Sequence, residues 1–300
     1  MNFGVFCPRS RADASGLTPD AWNRLLRAEG QGYDSIWLGD IGGFPGETVF
    51  PVFAPAAHLA VQTEKIRIGV ALPLGADLHP LRLSEEIATL DVMTAGRIQW
   101  AAAWRTGKGD GAKTDADDAR AREQIAIAIH AWTHGRVGWE GGCYRFPEVS
   151  CIPSSVQAPP PTFVLSADPG VRSWGREAGC QWMGPPLEPF SAERADREGT
   201  VLRHVYVGAN HHKAREEARE SLRAVGREMG LGKSEMALES FVDDRALIGD
   251  ALYCRERIAE WRESAPLDSL VLYPDFPELA PESLDESQVR FIEEVAPAFA

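Results

Sequence analysis

The chain has 300 residues, 44% hydrophobic and 25% charged, and its formal net charge of −13 argues against nucleic acid or an anionic membrane surface as a partner. The five cysteines show neither CxxC pairing nor metal-ligand spacing, which favours a reducing compartment over a disulfide framework. No apolar run approaches the roughly 20 residues of a membrane helix, and the N-terminus lacks the apolar core of a signal peptide, so we expect a cytoplasmic protein.

The first half of the chain alternates predicted strands and helices. Residues 2–6 form a short apolar strand. Thr18, Pro19 and Asp20 then begin a helix, because they supply a capping hydroxyl, a proline for the first turn and an acid for the helix dipole. The clearest unit lies at residues 66–104, where an apolar strand, a helix opened by His79 and Pro80, and a second apolar strand follow one another. Between these parts the pattern predicts a strand at 33–38 and a helix at 50–61.

The second half continues this alternation after a Gly-rich, charged loop. A helix follows the loop, and residues 137–161 are irregular, with a hairpin predicted around Gly141 and Gly142. Later strands are predicted at 162–166, 181–184, 201–207 and 267–273. Eight strands alternating with helices indicate a parallel sheet, and although a doubly wound sheet fits the same pattern, eight evenly used units favour closure. We predict a single α/β domain over residues 1–300, a (β/α)8 TIM barrel with an irregular insertion after the fourth unit.

The unit at residues 66–104 carries spaced residues that resemble a known family. They read T-x-K-I-R-I-G-V from Thr63, H-P-x-x-x-x-E-x-x-A-T-L-D from His79 and G-R-I from Gly96. The stretches GYDSIWLGD (32–40) and VQAPPPTFVLSA (156–167) resemble further parts of the same family. These motifs are similar to those of the luciferase-like flavin monooxygenases, the superfamily of bacterial luciferase. The resemblance implies a (β/α)8 barrel.

The resemblance also implies a flavin-dependent oxidoreductase, a monooxygenase in which reduced FMN reacts with oxygen and one oxygen atom passes to a small organic substrate. Family members commonly take loosely bound reduced flavin from a separate flavin reductase, so we expect such a partner, and we also expect a homodimer. Two alternatives stay open. A dehydrogenase or reductase that uses a deazaflavin coenzyme would have the same barrel, because GYDSIWLGD resembles those proteins as well. A catalytically degenerate barrel would bind a ligand or partner without turnover.

Candidate catalytic residues are expected where strands end, because the site of a (β/α)8 barrel lies at the carboxyl ends of its strands. In the family, the second strand ends with an acid and then a histidine that works beside the flavin. Asp40 matches the acid, but Ile41 replaces the histidine and can neither transfer a proton nor donate a hydrogen bond. His79 resembles the family's helix-opening histidine. We predict Asp40 and His79 as catalytic residues; a turn cap for Asp40 and a structural role for His79 are the alternatives.

Candidate cofactor-binding residues lie on the third and fourth strands. The family has glycines near the flavin at the fourth strand and often an arginine near its phosphate. Here the strand ends in three alanines, Trp104 and Arg105. Trp104 would fill space or stack on a ring, and Arg105 is the leading candidate for a phosphate, because its planar fork binds oxyanions bidentately. Ala71 on the third strand completes this group.

Two further candidates follow the fifth strand, where the family often supplies a serine to the flavin phosphate at a helix N-terminus. Ser166 could reach a ligand from the strand end. Asp168 stands close to the phosphate position and would repel it, and it fits a helix cap with Pro169 in the first turn. We predict that both residues lie at the cofactor-binding site.

Two other sequence patterns, a loop similar to a phosphate-binding loop and a pair of histidines, do not lead to a predicted nucleotide or metal site. The loop GKGDGAKT (107–114) departs from G-x-x-x-x-G-K-[ST] only at Ala112, yet no second nucleotide-binding signature accompanies it. We interpret it as a lid or an entry loop for a phosphate. His130 and His134 lie one helical turn apart but have no acidic third ligand at a matching spacing, so no metal site is predicted.

Overall fold

The structure is a computed structural model that describes residues 1–7, 18–39, 52–74, 78–104, 115–186, 199–228, 235–276 and 278–300. These residues group into two compact units, one made of 1–37 and 184–300 and the other of 38–183. The single domain expected over residues 1–300 stays a prediction. No helix among the described residues has the length and apolarity needed to cross a membrane.

Strands and helices alternate along the chain. The strands are β1 (Asn2–Phe6), β2 (Ser35–Gly39), β3 (Arg67–Pro73), β4 (Ile98–Ala103), β5 (Arg136–Glu140), β6 (Arg145–Ser150), β7 (Thr162–Leu165), β8 (Gln181–Gly184), β9 (Gly199–Val207), β10 (Ala246–Gly249) and β11 (Leu267–Tyr273). The helices are α1 (Pro19–Gln31), α2 (Phe53–Gln62), α3 (Pro80–Met93), α4 (Asp115–His134), α5 (Pro169–Glu177), α6 (His211–Glu228), α7 (Glu235–Arg245), α8 (Ala251–Ser264) and α9 (Pro281–Arg290). A π-helical turn and a 3-10 helix then extend to Phe299.

The first unit contains a parallel sheet in the strand order β10-β9-β11-β1, which the first residues of β2 continue beside β1. Helix α1 begins as predicted, because the Thr18 hydroxyl accepts a hydrogen bond from the Ala21 N–H at 3.2 Å. Gly32 ends it in the left-handed conformation, with φ of 98°. The sequence analysis missed α7 and β10. A four-residue strand and a largely polar helix carry little hydrophobic periodicity, which is the signal that sequence analysis uses.

The second unit contains a parallel sheet in the strand order β3-β4-β7-β8, and the same unit includes α2 to α5. The insertion predicted after the fourth unit contains an antiparallel hairpin of β5 and β6, and Gly141 and Gly142 lie in its turn as predicted. This hairpin packs on α4, where Val137 and Cys151 are buried against Ile127 and Ala131.

Helix α3 contains the spaced motif that begins at His79, and the motif's residues have structural roles there. Its buried face contains the predicted residues Leu83, Ile87 and Leu90. The motif's aspartate, Asp91, is fully buried and accepts hydrogen bonds from the Ser155 hydroxyl at 2.6 Å and from the Gln157 N–H and Nε2 at 2.7 Å. Asp91 therefore anchors the proline-rich segment that leads into β7, and these bonds satisfy the buried carboxylate.

Arg97 is the arginine of the G-R-I motif, and its contacts give this motif a structural role. Its guanidinium donates hydrogen bonds to the carbonyl oxygens of Ala60, Thr63 and Ile66 at 3.0 Å and to the Thr63 hydroxyl at 2.9 Å. One side chain thus joins the end of α2 and the start of β3 to the start of β4.

A close approach between β2 and β3 lies just before the predicted residue Asp40. Gly39 has φ of 139°, and a Cβ atom at this position would lie 2.0 Å from the carbonyl oxygen of Ala71. Any side chain here would therefore force the two strands apart. Only glycine combines this conformation with so short a distance.

Candidate functional site

The sheet of the second unit has one face against helices, and on its opposite face β3 and β4 carry small residues near their carboxyl ends. Trp100 on β4 faces α4, because its ring lies 5.7 Å from that of Trp132. Side chains alternate along a strand, so Ala101 and Ala103 lie on the opposite face. Ala71, which pairs with Ala101 in register, lies on that face too, and all three alanines are buried. The sheet therefore presents only methyl groups at these positions, next to the carboxyl ends of β3 and β4.

Trp104 lies between α4 and α5 at the end of β4. Its indole N–H donates a hydrogen bond of 2.8 Å to Asp118 Oδ1 on α4, and its ring lies 5.6 Å from that of Trp174 on α5. The residue is only 5% exposed. Of the two roles predicted for Trp104, filling space is the one that these contacts serve.

Arg122 lies one helical turn after Asp118 on α4. Together with Trp104, Asp118 and Trp174 it forms a corner at the end of β4. Its Nε donates a hydrogen bond of 2.6 Å to Asp118 Oδ2, and its guanidinium carbon lies 4.7 Å from the Trp174 ring centre and 5.7 Å from that of Trp104. One carboxylate thus holds both an indole and a guanidinium. The side chain is 31% exposed, and its two terminal nitrogens form no hydrogen bond with any described residue. A guanidinium fixed in this way can bind an oxyanion without further ordering.

The N-terminus of α5, the second place predicted for a phosphate, has its donors already occupied. Asp168 Oδ1 accepts hydrogen bonds from the N–H groups of Gly170 at 2.7 Å and Val171 at 3.0 Å, so Asp168 is the predicted helix cap. Ser166 is fully buried, and its hydroxyl oxygen accepts a hydrogen bond from the Asp168 N–H at 3.1 Å. A phosphate at this helix end would have to displace a carboxylate of the same charge.

His79 caps α3 and contacts the hairpin. Its Nδ1 accepts a hydrogen bond from the Leu81 N–H at 3.3 Å, which places the proton of the neutral ring on Nε2. The exposed ring lies 5.5 Å from that of Tyr144 and 5.9 Å from that of Phe146. These contacts provide the structural alternative foreseen for His79 and leave Nε2 for proton transfer.

Two of the predicted residues, Asp40 and Arg105, lie outside the described residues, as do Ile41 and the loop 107–114. The structure brings together the ends of β4 and β7, since the Trp104 N–H donates to the Leu165 carbonyl at 2.9 Å. Trp104 and the start of α5 therefore belong to one corner.

Sequence analysis missed Arg122 at this corner. The i,i+4 spacing of Asp118 and Arg122 is visible in the sequence, but such pairs are common on exposed helix surfaces. Only the positions of Trp104 and Trp174, from two other elements, distinguish this pair from the rest.

Other aromatic and histidine rings pack against one another within each unit. In the first unit, Tyr273 at the end of β11 lies between Phe6, at 5.5 Å, and His204, at 5.0 Å between ring centres. The exposed rings of His130 and His134 stack at 4.2 Å. Within the part of the chain that the structure describes, no cluster of three or more His, Cys, Asp or Glu residues could hold a metal ion.

The family model for luciferase-like monooxygenases matches residues 1–268. The chain belongs to this family. Among curated proteins, it is 23% identical over 259 residues to the oxygenase component of the flavin-dependent trigonelline monooxygenase of Acinetobacter baylyi. That alignment covers 73% of this chain and 69% of the relative. The predicted class of luciferase-like, flavin-dependent oxidoreductase is confirmed at the level of the family.

Solved structures show the fold. The monooxygenase RslO1 from Streptomyces bottropensis matches with a TM-score of 0.80 at 20% identity, and the alignment covers all of both chains. An F420-dependent secondary alcohol dehydrogenase in complex with an F420-acetone adduct matches with a TM-score of 0.76 at 16% identity, covering 100% of this chain and 99% of the other. The predicted α/β fold, a (β/α)8 TIM barrel, is confirmed.

Proposed function

We propose that this luciferase-like protein is a monooxygenase that uses reduced FMN and oxygen on a small organic substrate. Membership in the family and the likeness to a flavin-dependent oxygenase component support this proposal. The observation that carries it is the corner at the ends of β4 and β7. There a fixed guanidinium, whose terminal nitrogens form no hydrogen bond with a described residue, lies in the same unit as the buried alanines of β3 and β4.

The donor set of this corner fits a phosphorylated flavin. Arg122 would hold the phosphate, together with Arg105, which stays a predicted ligand. The methyl groups of Ala71, Ala101 and Ala103 would border the flavin ring, because short side chains permit a close approach. Trp104 would act through Asp118 and Arg122 and would not stack on the ring. The role of Ser166 and Asp168 would be to shape the start of α5.

A bound reduced flavin would supply the electrons and the reaction with oxygen, and the protein would bind, orient and exclude water. Asp40 and His79 stay the proposed catalytic residues. His79 could hold or move a proton only at Nε2, since Nδ1 accepts the Leu81 N–H. Ile41 can take no part in proton transfer, because its side chain has no polar atom.

The proposal includes a separate flavin reductase, and the oxygenase-component relative supports this partner.

We also propose that the protein forms a homodimer. Exposed apolar side chains at the ends of α2 and α3 support a subunit contact there: Val61 is 74%, Val92 45% and Met93 50% exposed. Analytical ultracentrifugation of the wild type and of a Val92→Glu, Met93→Glu variant tests the dimer. We propose the cytoplasm as the compartment, because five scattered cysteines without CxxC spacing fit a reducing environment.

The function is tested by anaerobic titration with reduced FMN and with a reduced deazaflavin coenzyme, followed by exposure to air. We expect saturable binding of reduced FMN, a transient spectral change with oxygen, and a colourless protein as purified. Isolation of a yellow protein with stoichiometric FMN would show that oxidised flavin binds tightly and that our interpretation of the α5 N-terminus is wrong.

A deazaflavin-dependent dehydrogenase or reductase is the second candidate, and the likeness to the F420-dependent alcohol dehydrogenase favours it. Saturable binding of the reduced deazaflavin without binding of reduced FMN would select this function. If neither coenzyme binds at millimolar concentration, the enzyme proposal fails and a degenerate ligand-binding barrel replaces it.

A further inference from the structure

Glu123 on α4 holds the tip of the β5–β6 hairpin through four hydrogen bonds. Its Oε1 accepts from the N–H groups of Gly142 at 2.8 Å and Cys143 at 3.0 Å. Its Oε2 accepts from the Tyr144 N–H and the Trp139 indole, both at 3.1 Å. Three successive backbone N–H groups thus surround one carboxylate, the arrangement by which backbone turns bind anions.

This contact also constrains the sequence of the turn. A Cβ atom at Gly141 would lie 2.2 Å from Glu123 Oε2 and 2.5 Å from Trp139 Nε1, so a side chain here would displace the carboxylate and the indole from this contact. Burial disfavours the ionised form, but the bonds from Cys143, Trp139, Tyr144 and Gly142 outweigh it and lower the pKa of Glu123 below its usual value. The carboxylate is therefore ionised at neutral pH.

The hairpin does not need this carboxylate merely to pack on α4. Val137 and Cys151 are already buried against that helix, and Trp139, Phe146 and Val149 pack against the same cluster. What Glu123 adds is a set of direct hydrogen bonds between α4 and the backbone of residues 142–144 at the tip.

The tip in turn contacts the start of α3. The rings of Tyr144 and Phe146 lie 5.5 and 5.9 Å from His79, and Leu81 packs against the hairpin cluster. Helix α4 reinforces this contact directly, because Gln124, next to Glu123, donates a hydrogen bond to the Leu78 carbonyl. Adjacent residues of α4 therefore hold the hairpin tip and the residues that begin α3.

We propose that Glu123 is a positioning residue, which fixes His79 and the start of α3 through the hairpin tip. The start of α3 follows the carboxyl end of β3, where cofactor sites of this fold class lie. The effect on flavin binding rests on the proposed function, whereas the effect on α3 does not.

Hydrogen–deuterium exchange of the free protein tests the structural link without any cofactor. The amides of Leu81 and Leu83 report on α3, since both donate hydrogen bonds to His79. In Glu123→Gln we expect exchange to rise at least threefold in residues 139–146 and also in residues 78–84. Glu148→Gln is the matched control, because Glu148 lies in the same hairpin in an exposed pair with Arg136. It should leave residues 78–84 unchanged.

A second variant keeps the test decisive if Glu123→Gln folds poorly. Tyr144→Ala removes the ring that contacts His79 but keeps the backbone N–H that Glu123 accepts. It should speed exchange in residues 78–84 and leave residues 139–143 as in the wild type. Faster exchange confined to the hairpin in both variants would overturn the proposal, because Glu123 would then stabilise the hairpin alone.

Anaerobic titration with reduced FMN tests the link to the site. We expect the Kd to rise at least threefold in Glu123→Gln and in Tyr144→Ala, and to stay unchanged in Glu148→Gln. If the wild type binds no reduced flavin, the proposed function fails, while the exchange result still decides the role of Glu123. If the wild type binds and both variants bind equally well, the positioning role at the site is wrong.

Discussion

Two neighbouring regions of the second unit could each bind an anion. They differ in whether their N–H donors already bind a carboxylate of the protein. At the N-terminus of α5, the carboxylate of Asp168 already accepts the N–H groups of Gly170 and Val171. At the corner of β4 and α4, Asp118 accepts a hydrogen bond from Nε of Arg122, and no described residue binds the two terminal nitrogens of that guanidinium. Both regions contain an aspartate, yet among the described residues the second is the one whose donors have no partner.

The difference shows that the geometry of a carboxylate decides its effect on an anion site. Asp168 places its charge directly on the helix N-terminus, where a phosphate would compete with it. Asp118 accepts hydrogen bonds from both the Arg122 guanidinium and the Trp104 indole, and so holds the cation in place. A site in this protein should therefore depend on α4 more than on α5.

The largest effect is expected at Arg122. Arg122→Ala should weaken binding of reduced FMN by about 1.5–3 kcal/mol, the range for hydrogen bonds to charged groups, which is roughly 10- to 150-fold in Kd. Anaerobic fluorescence titration measures it. Arg120→Ala is the control, since Arg120 lies on the same helix and pairs with Asp117 at 3.7 Å. Equal losses in the two variants would mean that general positive charge, and no specific contact, attracts the flavin.

Arg105 provides a second test of the phosphate site. Arg105→Ala should weaken binding by about 1–3 kcal/mol, because a guanidinium can bind a phosphate bidentately. Lys108→Ala and Lys113→Ala should have smaller effects if the loop is a lid. A loss of binding in Lys113→Ala together with a silent Arg105→Ala would instead favour a phosphate cradle in the loop.

Asp168 should act in the opposite direction. Asp168→Ser keeps a capping oxygen but removes a like charge, whose repulsion is on the order of 1 kcal/mol at an effective dielectric of about 20. We expect reduced FMN to bind about fivefold more tightly. Glu177→Ser removes the same charge at the other end of α5 and should leave the Kd unchanged. Weaker binding in Asp168→Ser would contradict the repulsion argument.

Trp174 should have a smaller effect, because it orients the guanidinium without contacting the ligand. Trp174→Leu should weaken binding of reduced FMN by about 0.5–1 kcal/mol, the range for a partly exposed cation–π contact. Trp174→Phe keeps an aromatic face and should restore most of the loss. If the leucine and phenylalanine variants bind equally, the ring face does not position Arg122.

The last prediction checks that the variants keep the folded core, and it expects no change in the number of reactive thiols. Burial raises the pKa of Cys7 and of Cys180 to about 12, with Arg24 opposing the shift at Cys7, and Cys143 is the one exposed thiol of the five. At pH 8 we expect one fast-reacting thiol per chain with a disulfide reagent, and none in Cys143→Ser. The Arg122, Asp168 and Trp174 variants should also show one. Additional fast-reacting thiols would indicate that the substitution has loosened the core. The Kd of that variant would then reflect the change in the core as well as the loss of a local contact.

Much of the fold follows from local patterns. Thr18 and Gly32 bound α1 as expected, and the i, i+4, i+7 spacing of Leu83, Ile87 and Leu90 identifies the buried face of α3. The cap at Asp168 was also predictable, because its bonds reach only two and three residues along the chain. Local interactions of this kind depend on sequence spacing alone.

The sequence by itself determined the alternation of strands and helices, the family and the altered positions Ile41 and Asp168, because each is a property of residue order. Only the tertiary structure decided that Trp104 packs against Trp174, that the Arg122 guanidinium lies over both rings, and that Glu123 reaches the hairpin tip. These contacts join residues from different elements that are 16 or more positions apart in the chain. No periodic pattern encodes such distances, because they depend on how the helices pack on the sheet.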